Sequence, residues 1–154
     1  MLFSRKTLFT AATAGMIAAL ASSAPAQDLL WHDPAQLLAL AGAPRDSGSQ
    51  GLRLLSHGED VVAVRVWYPP NTDIAPHPHP AGKVALVTVV AGAIELGLGD
   101  TFDADKLKPV PAGSTIVLRA DDPQHFGRTG PDGVQLLLIA APAASIAAEL
   151  TAGN

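Results

Sequence analysis

Hydrophobic and polar positions alternate along much of this chain, with a period of two rather than the helical period. Leu52–His57 and Val61–Tyr68 are apolar or β-branched runs separated by Gly58 to Asp60, a pattern that predicts a β-hairpin. Successive side chains of a strand point to opposite faces. In the second run, one face carries Val61, Ala63, Arg65 and Trp67, and the other carries Val62, Val64, Val66 and Tyr68.

Further apolar segments follow at regular spacing, punctuated by glycine and proline. Val84–Ala91 and Ala93–Leu98 are joined at Gly92, and Ser114–Leu118 and Val134–Ala140 complete the set. Six or more short strands in this arrangement are typical of an antiparallel β-sandwich or small barrel. The pattern therefore predicts an all-β domain over residues 52–140, with residues 141–154 as a C-terminal tail.

The segment before the strands has a helical start signal. Asp33 is suited to the N-cap position and Pro34 to the first helical position, and the leucines at positions 37, 38 and 40 supply an apolar face. Gly42 is placed to end the helix. Residues 27–51 are therefore predicted to form a short N-terminal helix and a loop rather than a second domain.

Residues 1–26 have the features of a secretory signal peptide. Arg5 and Lys6 are followed by the apolar, alanine-rich run Leu8–Leu20 and by the small residues Ala24-Pro25-Ala26. A membrane anchor is the alternative, but the run is short and interrupted by polar residues and a glycine. We expect a periplasmic or secreted protein, with the Sec and Tat export routes both left open.

Charge and cysteine content narrow the classes of partner. The chain has ten basic and fourteen acidic residues, so removal of Arg5 and Lys6 with the signal peptide leaves eight against fourteen, a formal charge of −6. Nucleic acids and anionic membranes select basic surfaces, which argues against both as partners. No cysteine is present, which excludes disulfides and thiolate chemistry. A small-molecule ligand is the expected partner, with a homodimer as one further hypothesis.

The segment Pro76–Pro80 carries the candidate chemistry. His77 and His79 are two residues apart, and the interleaved prolines favour an extended backbone, so both imidazoles point to one side. Neutral imidazole nitrogens are good ligands for divalent metals. A proline-rich surface connector is the alternative interpretation. His125 precedes the last predicted strand, and a barrel can bring it opposite the pair. Three histidines with open positions are an accepted metal geometry.

The spacing of these residues resembles the two motifs of the cupin superfamily. In the first motif, Asn71 stands at the opening glycine, His77 and His79 match the histidine pair, and Gly92 lies near the closing glycine. In the second, Gly113, His125 and Thr129 follow in order. The resemblance covers about residues 52–140 and is greatest to small exported single-domain cupins. It implies a cupin-type antiparallel β-barrel, also called a double-stranded β-helix or jelly roll, with a short N-terminal helix.

The resemblance also implies a metal site at His77, His79 and His125, holding a divalent ion such as Fe, Mn, Ni or Zn. The glutamate ligand of the motif is missing, because Lys83 or Val84 stands there. His125 comes one residue late, so Gln124 is an alternative occupant of the ligand position. Known cupins with three histidines include iron oxygenases, so loss of the glutamate does not by itself mean loss of the metal.

Four further residues are candidates for substrate binding: Arg65, Trp67, Thr88 and Gln135. If Arg65 lies in the barrel, it can bind a substrate carboxylate, and Trp67 can form a pocket wall. The alternative is that this face of the strand is turned toward solvent. No Asp or Glu falls clearly among barrel-facing positions, so the catalytic residues are unknown.

Two functional hypotheses follow. The first is a metal-dependent, oxygenase-like enzyme (an oxidoreductase such as a dioxygenase) acting on a small organic molecule. The second is a non-catalytic barrel that binds a small ligand or a metal ion. A third interpretation is a degenerate barrel with a structural role.

Overall fold

A computed structural model describes residues 30–58, 60–79, 81–147 and 150. The predicted signal peptide, residues 1–26, lies outside the described residues. Within the described part of the chain, no helix combines the length and the apolarity needed to cross a membrane.

The N-terminal helix is present and begins as predicted. Helix α1 spans Pro34–Ala39. The Asp33 side chain accepts a hydrogen bond of 2.8 Å from the backbone N–H of Gln36, and the Gln36 side chain accepts one of 2.9 Å from the N–H of Asp33. This reciprocal capping box satisfies two N–H groups that a helix start otherwise leaves without partners.

The rest of the described chain is almost entirely β-structure, which confirms the predicted all-β class. The strands are β1 (Gln50–His57), β2 (Val61–Tyr68), β3 (Asp73–His77), β4 (Lys83–Leu98), β5 (Lys108–Val110), β6 (Thr115–Arg119) and β7 (His125–Pro142). Two 3₁₀ turns lie at Ala104–Lys106 and Ala143–Ser145. The strands pair antiparallel in the order β1-β2-β7-β4-β5, with β3 also paired to β7 and β6 to β4.

Several strand boundaries differ from the sequence-based expectation. Strand β3 ends at His77, the first of the paired histidines, so His79 lies beyond it. Strand β5 was not predicted, and β7 begins nine residues before Val134, at His125. The strands predicted to meet at Gly92 form one continuous strand, β4, because β7 pairs with it on both sides of that glycine. These strands do not form apolar runs in the sequence, because β3, β5 and the start of β7 contain proline, glycine or charged residues.

Strands β4 and β7 each contribute to two half-sheets. The first half-sheet contains β1, β2 and β6 with the N-terminal half of β4 and the C-terminal half of β7. The second contains β3 and β5 with the other halves of the same two strands. The buried core contains residues of both half-sheets: Val66, Ile74, Val87, Val89, Ile94, Val134 and Leu136.

The two half-sheets are joined where β4 and β7 bend together. Pairing shifts register on both sides of Gly92, which has a φ of +80°. A Cβ atom built on Gly92 would overlap the carbonyl oxygen of Gly133, and Gly133 itself has a φ of +72°. Glycine is required at this bend for two separate reasons, since the backbone is left-handed and there is no space for a side chain.

A Gly92→Ala substitution is expected to destabilise the protein by at least about 2 kcal/mol, because backbone strain and overlap with Gly133 add together. Gly113→Ala is the matched control, since Gly113 also has a positive φ, +89°, but open space around its Cβ position. It should cost only the left-handed backbone penalty, about 1 kcal/mol. Urea unfolding of both variants measures the difference, and equal losses would contradict the role assigned to the close approach.

Candidate functional site

The pairing of β3 with β7 places two of the predicted ligands opposite each other. His77 is the register partner of His125. The two rings lie edge to face, with centroids 4.2 Å apart and an interplanar angle of 64°. His125, not the exposed Gln124, therefore lies at the site.

His79 joins this pair from beyond the end of β3. Its ring centroid lies 5.0 Å from that of His125, and its Nε2 is 2.8 Å from Nδ1 of His125, a hydrogen-bonding distance. The structure thus brings His77, His79 and His125 into one cluster, which we call the histidine cluster.

Backbone carbonyls orient two of the three imidazoles. Nδ1 of His77 lies 2.9 Å from the carbonyl oxygen of Ala75, and Nδ1 of His79 lies 2.6 Å from that of Arg119. A carbonyl only accepts, so each Nδ1 carries the proton and donates it. In the neutral rings, Nε2 of both residues is left unprotonated. This is the tautomer of a histidine that binds a metal through Nε2.

The Arg119 carbonyl, which accepts the hydrogen bond from His79, lies in a tight turn. The backbone N–H of Arg119 donates to the Asp122 carboxylate at 2.7 Å, and the N–H of Asp122 donates to the Arg119 carbonyl at 3.2 Å. The two side chains also form an ion pair of 3.7 Å. Asp122 therefore acts on the cluster indirectly, through the backbone of residue 119.

His125 is held in its neutral form by its surroundings. Burial, together with the smaller effects of the neighbouring His77 and His79, lowers its pKa from 6.5 to about 4. At neutral pH its ring is uncharged. In the neutral tautomer of His79 that donates from Nδ1, Nε2 carries no proton, so Nδ1 of His125 is the donor in the bond between the two rings.

The glutamate position of the motif contains no carboxylate. Lys83, the first residue of β4, is partly buried, and the described residues that line the cavity beside the cluster include no Asp or Glu. No group of three or more His, Cys, Asp or Glu residues in the described ranges has the arrangement of a ready-made ion site. In this structure, His79 and His125 are instead hydrogen bonded to each other.

The cluster opens onto a cavity of about 280 Å³ between the two half-sheets. Its wall is mainly aliphatic and includes Val66, Ile74, Val87, Ile94, Ile116 and Leu136. Such a surface favours the apolar part of a small organic molecule and excludes water.

The four residues predicted to bind substrate do not line this cavity. The guanidinium of Arg65 donates a hydrogen bond of 3.1 Å to the side-chain oxygen of Gln135. The hydroxyl oxygens of Thr88 and Thr115 lie 2.9 Å apart. Trp67 is buried beside Gln135, away from the histidines. Strand alternation explains the positions of Arg65 and Trp67. Val66 and Tyr68 of β2 point into the cavity, so the odd-numbered residues of that strand point to its other face.

Two polar residues that line the cavity were not predicted. Tyr68 lies on the inward face of β2, and Arg45 lies in the loop between α1 and β1. Alternation along β2 could have identified Tyr68, since it shares a face with Val64 and Val66. Arg45 has no such signal, because loop residues follow no periodicity.

Comparison with known proteins identifies the fold. No family model matches the chain, and no curated protein matches its sequence. Solved structures do match: a cupin protein from Desulfovibrio desulfuricans is 20% identical, with a TM-score of 0.50, over 72% of this chain and 98% of that one. The Cnp3 cupin domain of Schizosaccharomyces pombe is 13% identical, with a TM-score of 0.50, over 69% and 73%. A recombinant oxalate oxidase in complex with glycolate is 22% identical, with a TM-score of 0.52, over 69% and 57%.

These similarities define the class of protein as an antiparallel β-barrel of the cupin type. The chain therefore has the cupin fold, which confirms the fold that the resemblance of its sequence implied.

The neutral state of His125 predicts a pH-dependent stability for the chelator-treated protein. The pKa of His125 is about 4 in the folded chain and 6.5 without these contacts, so the unfolded state binds more protons between these values. The contribution of neutral His125 to the free energy of unfolding should be complete above about pH 6.5 and should decrease as the pH is lowered toward 4. Below about pH 4, this group should cause no further loss.

Urea midpoints at several pH values measure this effect. His125→Gln should flatten the slope between pH 6.5 and 4, whereas a His57→Gln control at an exposed position should retain it. An unchanged slope in His125→Gln would show that other groups cause the acid sensitivity.

Proposed function

We propose that this chain is an exported metal-binding cupin that holds one divalent ion on His77, His79 and His125 and binds a small organic molecule beside it. The supporting observation is the histidine cluster, in which two rings donate Nδ1–H to backbone carbonyls and keep Nε2 unprotonated. Export is proposed from the signal-peptide features of residues 1–26.

The donor set fits a divalent ion in kind and in charge. Three imidazoles from two distant segments meet, and neutral ligands leave the ion its full positive charge. His125 has to move its proton from Nδ1 to Nε2, or turn its ring, before all three histidines can act as ligands. When bound, such an ion supplies Lewis acidity and, if it is Fe or Mn, redox chemistry.

The remaining residues of the site are suited to binding a ligand and excluding water rather than to transferring protons. The aliphatic wall removes water from a bound molecule. The described lining contains no carboxylate, so it offers no Asp or Glu as a general acid or base. We therefore favour chemistry that depends on the ion itself, as in an oxygenase-like enzyme, over hydrolysis or isomerisation.

The same missing carboxylate favours a second function, a non-catalytic barrel that binds a small ligand or a metal ion. The structural neighbours include an oxalate oxidase, whose name states an enzyme activity, and a cupin domain of Cnp3, whose name states none. Because these neighbours are distant, the fold does not discriminate between the two functions. The identity of the ion does, since dioxygen chemistry needs a redox-active metal.

Elemental analysis of the purified, untagged protein tests the proposal. The wild type should contain about one divalent ion per chain, and a His77→Ala/His79→Ala variant should lose most of it, because two of three ligands are removed. The matched control is His32→Ala/His57→Ala, which removes two exposed histidines outside the cluster. It should retain the wild-type content.

A metal-free wild type, even after incubation with Fe²⁺, Mn²⁺, Ni²⁺ and Zn²⁺ in turn, would contradict the metal site. Equal metal loss in both double variants would contradict its location. Iron or manganese together with substrate-dependent dioxygen uptake would support the enzyme, whereas a site that binds only zinc would support the non-catalytic function.

A further inference from the structure

The cavity contains a cationic group outside the histidine cluster. Arg45 lines it although the residue belongs to the loop before β1. The residue as a whole is exposed, so its guanidinium lies at an opening of the cavity rather than deep within it. No side-chain hydrogen bond or ion pair of Arg45 is present among the described residues, so its five donors are available to a ligand.

The loop is built to hold Arg45 in this place. The backbone N–H of Arg45 donates to the carbonyl of Ser49 at 2.9 Å, and the N–H of Gly48 donates to the carbonyl of Arg45 at 2.8 Å. Gly48 has a φ of +74°, which closes the turn. These bonds fix the backbone from which the arginine side chain extends.

Strand β1 leaves space for the side chain itself. A Cβ atom on Gly51 would lie 3.1 Å from a terminal guanidinium nitrogen of Arg45. The arginine therefore passes over the one residue of β1 that has no side chain. Gly51 has an ordinary φ, so its value here is the space that it leaves.

Tyr68 is the second polar group of this region and lies close enough to Arg45 to interact with it. Burial raises the pKa of the Tyr68 hydroxyl, while the positive charge of Arg45 and a hydrogen bond from Ser49 act in the opposite direction. The phenol is protonated at neutral pH and can donate a hydrogen bond. Ser49 is 1% exposed, so it contacts the tyrosine from within the protein.

The charges of the cavity wall are unbalanced. The described lining contains one arginine, three histidines of which burial keeps His125 neutral, a protonated tyrosine and no carboxylate. A guanidinium beside an apolar cavity selects a planar anion that it can bind through two parallel hydrogen bonds, and a carboxylate has that geometry. A dianionic phosphate matches this wall less well, because a single guanidinium balances only one of its two charges.

We propose that Arg45 and Tyr68 form an anion-binding end of the cavity, and that the ligand is a small monocarboxylate with an apolar body. The proposal deepens the proposed function, and it rests on that function only in taking this cavity as the ligand site. A cavity of about 150 Å³ accommodates benzene, so one of about 280 Å³ accommodates a body of that size together with its carboxylate.

Calorimetric titration with benzoate and with its uncharged isostere benzamide tests the proposal, and hexanoate with hexanamide covers a chain-shaped body. We expect the carboxylate to bind about tenfold more tightly than the amide, as one charge-assisted contact supplies. Arg45→Met should remove this preference and leave amide binding within about twofold, because the apolar wall is unchanged. Tyr68→Phe should reduce carboxylate affinity by a smaller factor.

Arg53→Met is the matched control, because it removes the same charge from an exposed position on β1. It should retain the preference. Gly51→Ala tests the space over which Arg45 passes and should weaken carboxylate binding without any change of charge. Equal binding of acid and amide, no binding of either acid, or an equal loss in Arg53→Met would overturn the proposal. An equal loss of acid and amide binding in Arg45→Met would also overturn it, since that result means a structural role.

The His77→Ala/His79→Ala variant separates this proposal from the metal site. A preference for carboxylate that persists there supports the role of Arg45 even if the purified protein contains no metal. A preference that disappears there and survives in Arg45→Met belongs to the ion and overturns the role given to Arg45.

Discussion

The shared bend of β4 and β7 is the constraint on which the rest of the structure depends. A Cβ on Gly92 would overlap the Gly133 carbonyl, and a Cβ on Gly133 would overlap the Tyr68 carbonyl, so neither glycine can carry a side chain. Both strands leave one half-sheet and enter the other at this place, and they are paired on both sides of it. This shared bend orients the aliphatic residues of the two half-sheets toward one cavity, since each strand presents every second residue to the same side.

The histidine cluster depends on backbone geometry more than on side-chain packing. Strand register places His125 opposite His77, and the Arg119 carbonyl accepts a hydrogen bond from Nδ1 of His79. Thr129, which is 2% exposed, links β7 to the segment before β3: its hydroxyl donates to the Pro69 carbonyl at 2.7 Å and accepts from the N–H of Thr72 at 2.8 Å. Because these contacts involve main-chain groups, the imidazoles are oriented without a surrounding network of acidic side chains.

The chemistry of the cavity follows from which polar groups it contains. Burial keeps His125 neutral, and the lining that the structure describes has no acidic group that could neutralise Arg45. The cavity wall thus combines imidazole nitrogens, a fixed positive charge and an aliphatic surface. Electrostatic interactions strengthen where water is excluded, so few polar groups are enough to select the charge of a ligand.

The sequence alone determined the all-β class, the helix start at Asp33 and the candidate histidines, because alternation, capping and close spacing are local properties of the chain. It also predicted a barrel that could bring His125 to the pair. Tertiary structure alone decided which faces of β2, β4 and β7 point inward. As a result, Arg65, Trp67, Thr88 and Gln135 lie outside the cavity and Tyr68 lines it. It also placed Arg45 at the cavity from a loop with no periodicity. Alternation shows that a strand has two faces, but only its pairing within the complete sheet determines which of them is enclosed.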